Sequence, residues 1–131
     1  MTGVVITGHG FYASGVKSTI QLIAGEQHEV KYVDFLESDE PSDLREKLEH
    51  YLDSMNNVTN ILFLTDIVGG TPFKISAQIL QERKIAGAVV AGANISMVLE
   101  VLFTRENATL SELKQTAIQA GISGIKILPK E

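Results

Sequence analysis

Apolar residues along this chain follow two alternating rhythms. Gly3–Thr7 is a short run of β-branched residues and predicts a buried strand. Ser14–Ala24 places Val16, Ile20 and Ile23 at helical spacing. Glu29–Phe35 alternates in part and predicts a second strand. Pro41–Met55 is the clearest amphipathic helix, with Leu44, Leu48, Leu52 and Met55 on one stripe and charges opposite. Asn60–Thr65, NILFLT, is apolar on both faces, as expected at the centre of a parallel sheet. Pro72–Arg83 predicts a helix with proline in its first turn, where the missing N–H costs nothing. Ala86–Ala91 predicts a fourth strand. Ile95–Thr104 predicts a helix that is apolar almost all round, with Asn94 as its N-cap. Thr109 and Glu112 form a capping box for a last helix, to about Ala120, and Ile125–Leu128 predicts a final short strand.

Strands that alternate with helices imply an α/β fold: an open, mostly parallel, doubly wound sheet with helices on both faces. Ligands of such sheets sit beyond the carboxyl ends of the strands, where strand order reverses. The loops after the first and third strands are therefore where chemistry is expected.

Composition narrows the class. A chain of 131 residues is expected to form a single domain, 1–131, large enough to bury its own core. With no cysteine it has neither disulfides nor a thiolate metal site. A net charge of −5 argues against nucleic-acid binding, which needs clustered Lys and Arg. The N-terminus carries no leader pattern and no apolar run is long enough for a bilayer, so a cytoplasmic location is expected. His28 and His50 read as surface residues without carboxylates at ligand spacing, and neither metal nor cofactor is expected.

The first loop, TGHGFYAS, holds His9 between Gly8 and Gly10. One reading is a tight turn with an idle histidine. A second is a dinucleotide fingerprint, since GHGFYA fits G-x-G-x-x-G/A and Asp34 could take the ribose, somewhat later than the usual spacing. The third comes from the other loop, LTDIVGGTPF. There Asp66 closes the most apolar strand, where an unpaired carboxylate would be costly. Gly69, Gly70 and Thr71 then lead into a helix, and their N–H groups, the helix N-terminus and the Thr71 hydroxyl would make an anion cradle. If both loops share one sheet edge, Asp66 can orient His9 and leave its other nitrogen nucleophilic. A phosphoryl group is the simplest electrophile for an imidazole beside such a cradle. Gly10 would then leave room for a protein-borne phosphoryl group, so Gly10, Gly69, Gly70 and Thr71 are the expected phosphate-binding positions.

The motifs ITGHG, FLTDIVGGTPF and VAGANISMVLE, in this order over essentially the whole chain, resemble the enzyme IIA component of the mannose family of the bacterial phosphoenolpyruvate:sugar phosphotransferase system. TGHGFYASG together with TDIVGGTPF looks closer to the N-acetylgalactosamine-like branch than to mannose. The resemblance implies a phosphotransferase component in which His9 takes a phosphoryl group from HPr and passes it to the IIB component for sugar uptake. The membrane IIC and IID components are met only indirectly. It implies that Asp66 orients His9, that Thr71 contacts phosphate, and that Phe11 is an aromatic beside the histidine at which partners dock. It also implies a homodimer in which the final strand is exchanged, which would make that strand antiparallel. With the sequence ending at Glu131, no fused IIB domain is expected. Two alternatives stand beside this: a small dinucleotide-binding domain, and a phosphohistidine regulatory module that binds proteins without passing the group on.

Overall fold

The computed structural model describes residues 1–130. Its elements are β1 (Thr2–His9), α1 (Tyr12–Ala24), β2 (Val30–Phe35), α2 (Pro41–Ser54), β3 (Asn60–Thr65), α3 (Thr71–Glu82), β4 (Gly87–Ala91), α4 (Ile95–Thr104) and α5 (Leu110–Ser123), with a 3-10 turn at Arg105–Asn107. The four strands are all parallel, in the order β2-β1-β3-β4. Strand order reverses between β1 and β3, which sets their C-terminal loops side by side.

The period-two alternation of β1 and β3 decides which helices go where. Val4, Ile6, Leu62 and Leu64 face α1, α4 and α5, packing on Ala13, Val16, Ile20, Val98, Val101, Leu113 and Ala117. Val5, Ile61 and Phe63 face α2 and α3, packing on Leu44, Leu48, Leu52 and Ile79. Both faces are thereby covered, as the doubly wound prediction requires. The stripe of α1 fades in its last turn, where Ile23 stays exposed.

At the N-terminal edge of the sheet, buried Arg105 donates to the carbonyls of Thr2, His28 and Glu29. Burial pulls its guanidinium below the usual arginine value, partly offset by nearby Glu106 and Glu29.

Among the described residues the expected final strand does not form within this chain. Ile125–Leu128 pairs with no strand, and Ile125, Ile127 and Leu128 stand exposed. A strand of four residues has no partner here: β4, the nearest sheet edge, ends at Ala91, and α5 runs on to Ser123, farther than the capping box and periodicity suggested.

Candidate functional site

His9 is the last residue of β1, and Asp66 follows the last residue of β3. Because Thr7 and Thr65 are in register, Asp66, one residue beyond, and His9, two residues beyond, emerge at one edge. Asp66 Oδ2 accepts the main-chain N–H of His9 at 2.9 Å and meets its ring Nδ1 at 2.8 Å. Asp66 Oδ1 accepts the N–H of Ile67 at 2.9 Å. Burial pushes the Asp66 carboxyl up, but these hydrogen bonds and the His9 charge outweigh it and hold the group below its usual value. An ionised carboxylate only accepts, so in the neutral ring Nδ1 carries the proton and Nε2 keeps its lone pair.

Nε2 looks toward the start of α3. A Cβ added to Gly70 would lie 2.6 Å from His9 Cε1 and 3.3 Å from Nε2, so only glycine fits beneath the ring. Gly70 is also the N-cap of α3, and Gly69 before it is left-handed at φ +78°. Thr71 opens the helix, with Pro72 behind it, and among the described residues no side chain caps α3. The N–H groups of its first turn, where Pro72 has none to offer, therefore meet no capping side chain. The imidazole itself is 47% exposed.

The two glycines flanking His9 do different work. A Cβ on Gly8 would strike the Tyr12 ring at 2.5 Å and the Asp66 carboxyl carbon at 2.9 Å. Gly8 is therefore required by the interior of the site. Gly10 has open space around it but a left-handed backbone, φ +60°, and its N–H bonds Phe35 O at 2.7 Å. That turn sends the chain from β1 into α1.

The aromatic ring against His9 is Phe35, edge-on at 5.9 Å. Phe11, the aromatic expected there, is 75% exposed and lines an open depression of about 530 Å³ with Gly10, Leu36, Glu37 and Ser38. Phe35 and Tyr12 were missed by sequence reasoning. Phe35 is in register with His9 across β1 and β2, a signal that exists only once the strands pair.

Asp34, the candidate ribose acid, is engaged elsewhere. Its carboxylate accepts both the N–H of Ser14 at 2.9 Å and the Ser14 hydroxyl at 2.5 Å. It thus caps the first turn of α1 from the neighbouring strand, which leaves the fingerprint reading without its acid. His28 and His50 are exposed and remote from this edge of the sheet.

Residues 3–118 match the family model described as PTS system fructose IIA component. The chain belongs to that family. This IIA chain is 32% identical over 126 residues to the PTS system mannose-specific EIIAB component of Escherichia coli K12, covering 95% of the chain and 39% of that longer protein. It is 34% identical over 113 residues to the PTS system fructose-specific EIIA component of Bacillus subtilis 168, covering 86% of the chain and 77% of the relative. A crystal structure of phosphotransferase system component EIIA from Streptococcus agalactiae matches with a TM-score of 0.88 at 30% identity, over 97% of both chains. Membership supports a phosphoryl-carrying role in a sugar phosphotransferase system. No helix among the described residues is long and apolar enough to cross a membrane.

Proposed function

We propose that residues 1–131 act as a single phosphoryl-carrier domain whose acceptor is Nε2 of His9. The carrying observation is the pairing of Nδ1 with Asp66, which leaves Nε2 free beside the N-terminus of α3. The Nε2 lone pair attacks phosphorus on phospho-HPr. The bond from phosphorus to the donor residue breaks, and its electron pair stays with the donor. The ring gains positive charge, which the Asp66 carboxylate balances through the Nδ1 proton. The N–H groups near Gly70 and Thr71 receive the phosphoryl oxygens, stabilised by the helix dipole. The same steps in reverse hand the group to a nucleophile on the IIB component, for uptake of a sugar through membrane components the carrier itself does not touch. Such a carrier works in the cytoplasm and needs no metal or cofactor.

Phe11, with exposed Ile67 and Val68 across the imidazole, offers apolar docking area for both partners. Homodimerisation with exchange of Ile125–Leu128 is part of this reading. It is supported by the exposed tail and by the bare edge of β4, whose residues Gly87–Ala91 carry none of the charge that Lys31 and Asp34 give the opposite edge strand. The N-acetylgalactosamine-like leaning of the two motifs remains a proposal about sugar class.

Intact-mass spectrometry after incubation with phosphoenolpyruvate, enzyme I and HPr tests the reading. One acid-labile phosphoryl group is expected on the wild type and none on His9→Ala. No adduct on either protein refutes the carrier role, and a stable adduct that no IIB component can remove favours a regulatory module.

A further inference from the structure

We propose that Tyr12 is a positioning residue for His9, its ring walling the Asp66 carboxylate off from water. This rests on the carrier reading above. The ring and the Asp66 carboxyl carbon crowd the same small volume, the one left empty because residue 8 is glycine. No other residue type at position 8 would let the ring come so close to β1. The ring is also fixed at its far end. Its hydroxyl donates to Ala93 O at 2.8 Å, and the Ala93 N–H donates to Thr65 O at 2.9 Å. Thr65 is the residue before Asp66. A closed circuit results, running from Tyr12 through Ala93 and Thr65 to Asp66, and from Asp66 to His9, three residues before Tyr12. Burial, with the Asp66 charge second, pushes the Tyr12 phenol up to about 12, so it remains a donor wherever the protein works.

The physical consequence lies in the strength of the Asp66–His9 pair. A carboxylate screened by water holds a ring N–H weakly, whereas one against an apolar wall holds it firmly. Water admitted beside Asp66 would let the imidazole rotate and exchange tautomers, leaving Nε2 protonated part of the time. The Tyr12 ring also packs against the core cluster of β1, α1 and α4. A simple packing role would be filled by any apolar side chain of similar size.

The ring ¹⁵N shifts of His9 in its neutral form report the tautomer directly and are read beside single-turnover transfer from phospho-HPr. Wild type and Tyr12→Phe, which keeps the ring, are expected to show the Nδ1–H form, with transfer in the phenylalanine variant within about threefold. Tyr12→Leu is expected to show mixed tautomers and transfer about tenfold slower, less than the roughly hundredfold cost of a nucleophile displaced outright. Should the leucine variant fail to fold, Tyr12→Met removes the ring with a more adaptable side chain. A folded leucine or methionine variant with the wild-type tautomer and rate overturns the proposal. If the wild type accepts no phosphoryl group, the carrier reading fails, while the tautomer comparison still decides whether Tyr12 orders His9.

Discussion

One oxygen of Asp66, Oδ2, receives both the main-chain N–H of His9 and its ring Nδ1. A side chain held by the same atom as its own backbone has little freedom left about its first two torsions. Asp66→Asn removes the charge but keeps the size. Phosphoryl transfer to His9 is expected to fall roughly a hundredfold or more in both directions, the scale of a lost electrostatic partner. Rapid-quench transfer from phospho-HPr and to IIB checks this, and an unchanged rate in both directions removes Asp66 from the orienting role.

The same carboxylate makes a pH prediction. Its folded value lies below its unfolded one, so it stabilises the fold above the ordinary carboxylate range. That contribution disappears as pH falls through the depressed value. Urea unfolding at neutral and at acid pH is expected to show a smaller acid loss in Asp66→Asn than in wild type.

Gly70 and Gly10 should respond differently to a single methyl group. Gly70→Ala drives a Cβ against the imidazole and is expected to depress transfer strongly with a modest change in stability. Gly10→Ala meets no atom but forces a left-handed alanine, costing about 1–2 kcal/mol in unfolding experiments. Gly10→Val with full transfer would show that partner approach needs no space there.

Asp34→Ala removes the carboxylate that takes both Ser14 donors. A loss of about 1 kcal/mol is expected from chemical denaturation, as for other lost helix caps. Calorimetric titration with nicotinamide dinucleotides is expected to show no binding in either protein.

Truncation after Gly124 removes the exposed Ile125, Ile127 and Leu128. On the dimer reading, sedimentation of the full chain gives a dimer and of the truncated chain a monomer. Equal sedimentation states would remove the tail from the interface.

The sheet was legible in the sequence because burial on both faces and helical periodicity each leave a local mark, as in Asn60–Thr65 and Pro41–Ser54. The His9–Asp66 pair was legible because chemically costly residues closed two apolar strands. Phe35 and Tyr12 were not, since their place depends on strand register and on the missing Cβ of Gly8. Nor was the role of Asp34, whose partner Ser14 lies on a different element. The fate of Ile125–Leu128 was not either, because β-propensity marks a segment able to pair and says nothing of where its partner is.

His9 and Arg105 stand at opposite ends of β1, and the distance between them has a mechanical meaning. On the carrier reading, two proteins dock on and leave the histidine end in every cycle, and each departure pulls on the loops after β1 and β3. The other end is clasped: one buried guanidinium ties the start of β1 to the approach to β2 and to the turn after α4. On that reading, partner exchange at the reactive end acts on a strand whose far end is held by three hydrogen bonds from Arg105.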